Sequence, residues 1–210
     1  VLAYLECQGL MFDSLPDDLE LIKRGSENFD FLGVNYYQSG CVKAPTPGKS
    51  RHSKENNKTG KGGHVKYEVQ PDLFEGTNNG YLHDTDFSMP IDPDGLQFIL
   101  EEINDRYGIP TMICENGLGV YDTLNSDGTV HDGYRIEYLR QHIKAIRRAI
   151  DNGASVLGYN PWSAMDLLST SNGIDKRYGF IYIDRSDSDA RSCKRYRKDS
   201  FFWYKNVIAS

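Results

Sequence analysis

Three short runs of apolar, aromatic and β-branched residues, separated by two stretches of helical period, constrain this chain more than any other feature. The first run, Phe29-Asp30-Phe31-Leu32-Gly33-Val34-Asn35-Tyr36-Tyr37, has the composition of a buried strand. From Asp92-Pro93-Asp94-Gly95 the pattern turns helical, with Leu96, Ile99, Leu100 and Ile103 in phase and a stop at Gly108 before Pro110. The second run, Pro110 to Cys114, breaks into Glu115-Asn116-Gly117. A polar loop with Asn125, Asp127 and Gly128 then leads to a helix over about Asp132 to Asn152, with Ile136, Leu139, Ile143, Ile146 and Ile150 as its expected apolar face. The third run is Ala154 to Asn160. Strand, helix, strand, helix, strand implies an α/β protein with parallel strands and crossover helices packed outside. A complete eight-unit barrel takes ~250 residues or more, so three such units cannot close one by themselves.

The flanking segments are less regular. Pro16 to Arg24 reads as a short amphipathic helix carrying Leu19, Leu21 and Ile22 and stopped by Gly25. Gln38 to about Met89 shows no clear periodicity, and connections of that length are usually functional or mobile. Its Lys- and Asn-rich run from Lys49 to Lys66 is expected to be a solvated loop. Gly179 to Asp184 has a hairpin-like pattern, and a final amphipathic helix is expected around Phe201, Phe202, Tyr204 and Ile208. There is no internal repeat or linker, so residues 1–210 are expected to form part of one domain. The first residue is Val1, with no basic leader or secretory cleavage signature, and the chain is expected to begin mid-protein.

Composition narrows the function classes. The formal net charge is −6, with 39% hydrophobic and 26% charged residues, which excludes disorder and a disulfide-stapled scaffold. No run approaches the ~18 apolar residues of a membrane span, and the acidic balance argues against a nucleic-acid partner. Cys7, Cys41, Cys114 and Cys193 match no metal spacing and are expected to be reduced thiols of a cytoplasmic protein. His52, His64, His83, His131 and His142 show no ligand spacing either, so no metal or other cofactor is expected.

In parallel sheets the reactive groups gather at the carboxyl ends of the strands. Those positions hold Asn35, Tyr36 and Tyr37, then Glu115 and Asn116, then Trp162, Ser163 and Asp166. A carboxylate, phenols, amides and an indole suit a sugar. The indole face stacks on a pyranose, amides and phenols bond its hydroxyls, and a carboxylate attacks the anomeric carbon. Adjacent strand residues point to opposite faces, so only one of Tyr36 and Tyr37 can enter such a site, and alternation favours Tyr37.

Ile113-Cys114-Glu115-Asn116-Gly117 resembles the nucleophile signature of glycoside hydrolase family 1, in which a Thr commonly stands where Cys114 does. Five further stretches match the same family in order: Asp30 to Tyr37, Ile91 to Leu96, Tyr134 to Leu139, Gly158 to Ser163, and Lys176 to Phe180. The resemblance implies the C-terminal part, about strands 6 to 8, of a (β/α)8 TIM barrel. It also implies Glu115 as nucleophile and Tyr37 as the phenol that bonds it, with Trp162 beneath the sugar ring. Asn35, Ser163 and Ala164 would shape the aglycone side. Family members retain anomeric configuration, which requires two carboxyl groups about 5 to 5.5 Å apart. The family's acid/base lies in an Asn-Glu-Pro signature, and no Asn-Glu pair occurs in this sequence.

Where neutral-sugar members carry a Glu-Trp pair, this sequence has Ser169 and Thr170. A sugar phosphate bears about −1.5 to −2 charges at neutral pH, and a Glu about 4 Å away would repel it by on the order of 4 kcal/mol per unit charge. The resemblance is to the 6-phospho-β-glycosidase branch, whose phosphate-binding Ser, Lys and Tyr fall at Ser169, Lys176 and Tyr178. A residue smaller than Trp at Thr170 leans toward glucosides. Read singly, Lys176 and Arg177 are equally consistent with a solvated pair, and Tyr178 with a strand-end aromatic.

The expected partners are therefore a phosphorylated β-glucoside and the absent N-terminal half of the barrel, without which the isolated chain would be inactive and would expose an apolar edge. The alternatives are a β-glycosidase for unphosphorylated sugars and a noncatalytic carbohydrate-binding half-barrel.

Overall fold

The computed structural model describes residues 7–10, 15–47, 69–70, 73–169 and 172–210. The helices are α1 (Asp18–Ser26), α2 (Pro93–Tyr107), α3 (Gly133–Asp151) and α4 (Asp199–Val207). The strands are β1 (Leu32–Asn35), β2 (Cys41–Lys43), β3 (Val69–Gln70), β4 (Phe74–Thr77), β5 (Thr111–Asn116), β6 (Val156–Pro161), β7 (Ile181–Ile183) and β8 (Arg195–Arg197).

The three apolar runs form one parallel sheet in the order β1-β5-β6, as the alternation requires. Helix α2 forms where its punctuation is strongest. Asp92 accepts a hydrogen bond from Gly95 N at 2.9 Å, Pro93 opens the first turn, and Gly108 closes the helix at φ +62°. Leu96 and Leu100 of α2, Ile113 of β5, and Ile146 and Ala149 of α3 pack into one core with Tyr36 and Ala154. Leu96, Leu100 and Ile113 are fully buried, each side chain contributing roughly 1.5–3 kcal/mol by its removal from water.

Several expectations require correction. The first run is not a buried strand: β1 lies at the edge of the described sheet, and Phe29, Phe31 and Leu32 are exposed. Helix α1 continues through Gly25 to Ser26, and Leu19, Leu21 and Ile22 are all solvent-exposed among the described residues. The buried face of α3 is Arg135, Tyr138, Leu139, His142, Ala145, Ile146 and Ala149, while Ile150 is exposed. Small alanines and ring-bearing residues face the neighbours there, which a count of isoleucines overlooks.

The stretch after β1 is not structureless. β2, β4 and β3 form an antiparallel sheet in that order, with buried Glu75 accepting from Thr46 Oγ1 at 2.5 Å. The Lys49 to Lys66 run lies outside the described residues. Gly179 to Asp184 is not a hairpin: it contains β7, which pairs with β8 twelve and more residues later. Helix α4 packs through Phe201, Trp203 and Tyr204 against Leu118, Val120, Tyr138, Leu139 and Phe180.

A buried ionic cluster fastens the loops after β5 and β6 to α3 and α4. Arg135 pairs with Asp122 and Asp132 at 2.9 Å each, Lys198 with Asp122 and Asp166, and Arg177 with Asp166 at 2.9 Å. Burial pushes the Asp122 carboxyl up, but Arg135 and Lys198 outweigh it and hold the group below its ordinary range. Truncating one member would strand its partner's charge away from water.

Candidate active site

The carboxyl ends of β1 and β5 are locked together by backbone before any side chain acts. Tyr36 N donates to Glu115 O at 2.9 Å, and a shift of register between Val34 and Asn35 sets Asn35 opposite Glu115. The two tyrosines then diverge as strand alternation requires. Tyr36 is buried against the helices, its hydroxyl donating to Asp92 O at 2.7 Å; Tyr37 turns the other way and donates to Glu115 Oε2 at 2.6 Å. Burial first, and the bond to Glu115 second, push the Tyr37 phenol well above its ordinary range, so it remains a donor at any working pH.

Asn116 is fully buried behind this pair and holds it in place. Its Nδ2 donates to Tyr36 O at 2.8 Å and to Tyr138 Oη at 3.0 Å, and its Oδ1 accepts from Tyr159 Oη at 2.7 Å. The same residue's carbonyl accepts from Trp162 N at 2.7 Å, which draws the start of the loop after β6 onto the end of β5. The approach is close enough that a Cβ at Gly117 would lie 1.9 Å from Trp162 O. Trp162 is half-buried, and Ser163 spends its hydroxyl on Met165 O at 2.7 Å.

A continuous line of side chains leads from Glu115 to Lys176. The Tyr178 ring meets Tyr37 edge-on at 6.1 Å between centroids, and Lys176 Nζ lies 5.5 Å from the centre of the Tyr178 ring. Tyr178 is buried and its phenol is pushed up to about 12 by burial and, against the opposing field of Arg135, by Glu115. Both Lys176 and Tyr178 lie across Gly119, where a Cβ would be 2.5 Å from Lys176 Cε and 2.6 Å from Tyr178 Cζ.

Lys176 is not a solvated loop residue: it is 2% exposed. Its ammonium donates to Asn172 Oδ1 and contacts Met89 Sδ, each at 3.3 Å, and among the described residues it has no carboxylate partner within 4.0 Å. Burial alone lowers its pKa to about 8. The neighbouring Arg177 is also buried but is consumed by Asp166 and by the carbonyls of Ile183 and Arg185. Asp166, one of the acids following a strand, therefore belongs to the ionic cluster and not to the line from Glu115. It accepts from Arg177, Lys198 and the backbone of Gly179.

Of the remaining expected site residues, Asn35 is exposed at the end of β1 beside Glu115. Ser169 is half-buried in a tight loop where its N–H donates to Gly173 O at 2.9 Å, and Thr170 lies outside the described residues. Sequence reasoning missed Asn116 as a holding residue, and missed Phe87, Met89 and Asn172 around the Lys176 ammonium. No local signal marks Phe87 and Met89, which reach Lys176 from a segment far away in the chain, whereas Asn172 stands only four residues before it. Among the described residues no group of three or more His, Cys, Asp or Glu side chains could hold a metal ion, and no helix is long and apolar enough to cross a membrane.

A family model described as glycosyl hydrolase family 1 matches residues 3–210. An aryl-phospho-β-D-glucosidase of Bacillus subtilis is 42% identical over 193 residues, covering 91% of this chain and 37% of that protein. A 6-phospho-β-glucosidase of Clostridium longisporum is 41% identical over 199 residues, with 92% and 38% covered. Among solved structures, a family 1 β-glucosidase from Thermotoga maritima superposes with a TM-score of 0.73 at 31% identity, covering 92% of this chain and 37% of that one. The chain thus spans about two-fifths of the length of the relatives it matches.

Proposed function

The chain belongs to glycosyl hydrolase family 1, and from that premise we propose that it is the C-terminal portion, strands 6 to 8, of a single (β/α)8 catalytic domain that hydrolyses 6-phospho-β-glucosides with retention. On this reading Glu115 attacks the anomeric carbon, forming a glycosyl ester that water then cleaves. Tyr37 orients the attacking carboxylate through its 2.6 Å bond. Trp162 stacks beneath the sugar and Asn35 lies on the aglycone side. Ser169, Thr170, Lys176 and Tyr178 receive the 6-phosphate, the ammonium and phenol supplying charge-assisted hydrogen bonds. The second carboxyl that protonates the leaving group belongs to a segment outside this sequence, so the chain alone is inactive toward substrates that need protonation. A cytoplasmic location follows from a phosphorylated substrate and reduced thiols.

The observation that carries the reading is the buried ammonium of Lys176, which has no carboxylate partner among the described residues and is linked through Tyr178 and Tyr37 to Glu115. A buried cation without a counter-charge is costly, and an anionic substrate group is a partner that would offset that cost. The names of the B. subtilis and C. longisporum relatives support the same substrate class. The test is hydrolysis of paired aryl β-glucosides, with and without the 6-phosphate, by a protein that contains this sequence and the second carboxyl. A preference for the phosphorylated compound that is lost in Lys176→Met is expected; preference for the neutral compound would remove the phosphate assignment.

A further inference from the structure

The Lys176 ammonium sits in a cradle that binds a cation without neutralising it. Phe87 lies beneath it, with Nζ 4.8 Å from the ring centre, and the Tyr178 ring stands at 5.5 Å. Asn172 Oδ1 and Met89 Sδ stand at 3.3 Å each, and no carboxylate lies within 4.0 Å among the described residues. Every one of these contacts is with a neutral dipole, a thioether or a π face. Aromatic faces attract a cation by roughly 0.5–2 kcal/mol, most when water is excluded, yet leave its full charge for a ligand. A carboxylate in the same place would hold the lysine more tightly but would cancel the field that an anion needs.

Phe87 and Met89 reach this position through a tight turn built for the purpose. Thr85 N donates to Met89 O at 2.9 Å, and the Thr85 hydroxyl accepts from Phe87 N at 3.2 Å and Met89 N at 3.3 Å. Ser88 takes a left-handed conformation at φ +56°, which an L side chain adopts at a cost. The turn is tied to the loop after β5 by Tyr121 N, which donates to Asp86 Oδ2 at 3.0 Å, and by the Tyr121 ring, 4.8 Å from that of Phe87. Phe87 is consequently buried and fixed.

We propose that Phe87 is a positioning residue for Lys176, holding its ammonium in place and unneutralised so that the site selects a phosphorylated sugar over a neutral one. The selectivity rests on the proposed function above; the cradle itself does not. The test therefore reads both separately, in the chain carrying isotope-labelled lysine. Ring currents from Phe87 should shift the Lys176 Cε proton signals upfield. Phe87→Tyr should retain that shift and Phe87→Leu, which keeps apolar bulk without the π face, should lose most of it. Calorimetric titration with glucose 6-phosphate should give a Kd weakened roughly five- to twentyfold in Phe87→Leu and little changed in Phe87→Tyr. Phe87→Leu leaving the Lys176 signals and the Kd untouched would overturn the proposal. So would equal weakening in Phe87→Tyr, since any disturbance of the turn would then suffice. If the unsubstituted chain binds glucose 6-phosphate no better than glucose while Phe87→Leu still moves the Lys176 signals, the cradle stands and the phosphate assignment fails.

Discussion

Gly119→Ala separates the proposed phosphate-binding residues from the proposed nucleophile more cleanly than any direct substitution. The new methyl carbon would arrive 2.5 Å from Lys176 Cε and 2.6 Å from Tyr178 Cζ, where carbon atoms rest at about 3.5–4.0 Å. Both side chains must therefore retreat by about 1 Å or more. The lysine stem can swing, whereas the phenol ring is wedged against Tyr37 and can only tilt. Overpacking of this kind costs about 1–3 kcal/mol, and in a domain of this size each 1 kcal/mol lowers Tm by roughly 2–4 °C. Binding should suffer more than stability does. Two donors displaced from one anion, at about 1.5–3 kcal/mol for each charge-assisted bond, predict a loss of glucose 6-phosphate affinity of about a hundredfold or more. Differential scanning calorimetry and calorimetric titration on the same samples measure both quantities. A variant whose Tm falls as expected but whose affinity for glucose 6-phosphate matches the unsubstituted chain would refute the assignment of Lys176 and Tyr178 to the phosphate.

Four further outcomes follow from the geometry. Glucose 6-phosphate affinity should fall as pH rises through about 8, where buried Lys176 loses its proton, since the phosphate is already largely dianionic above its second pKa of about 6; Lys176→Met should remove that pH dependence, which titration between pH 6 and 10 would show. The same depressed pKa has an opposite signature in folding. The unfolded lysine keeps its proton to higher pH, so the burial penalty is fully present below about 8 and is relieved as pH rises toward the lysine's ordinary 10.5, and denaturant unfolding should show this site adding stability across that window. Tyr37→Phe removes the 2.6 Å bond to Glu115, and at about 1.5–3 kcal/mol for a hydrogen bond to a charged group it should lower kcat/KM about ten- to hundredfold in a protein with both carboxyls. Asn116→Ala leaves Tyr36 O and the Tyr138 and Tyr159 hydroxyls without their partner, which should cost about 2–4 kcal/mol in urea unfolding.

What could be read from the sequence was what is decided locally. Helix α2 is announced by Asp92, Pro93 and Gly108 because caps act within a turn of the helix end. The divergence of Tyr36 and Tyr37 could be anticipated from the two-residue period of any strand, whereas the pairing of Tyr37 with Glu115, 78 residues away, was implied by the family resemblance alone. Burial could not be anticipated, because it depends on what covers a segment. The run from Phe29 to Tyr37 has the composition of a strand covered on both faces, yet β1 lies at a sheet edge with Phe29, Phe31 and Leu32 in water. That mismatch is the pattern a barrel strand would show apart from its neighbours. The surroundings of Lys176 were equally hidden: Phe87 and Met89 lie almost ninety residues away in a stretch with no periodicity, held by a threonine-centred turn that carries no strong signature.

The central claim is that the Glu115 carboxylate attacks the anomeric carbon of a 6-phosphorylated glucoside, and covalent trapping tests it most directly. A 2-fluoro glucoside destabilises the transition state for both steps, and a dinitrophenolate leaving group departs without protonation, so the second carboxyl is not needed for the first step. Mass spectrometry of the digested protein should find a fluoroglucosyl 6-phosphate ester on the peptide containing Glu115, formed far faster than the ester from the unphosphorylated reagent and absent in Glu115→Gln. An ester on any other residue, or equal labelling by both reagents, would contradict the account.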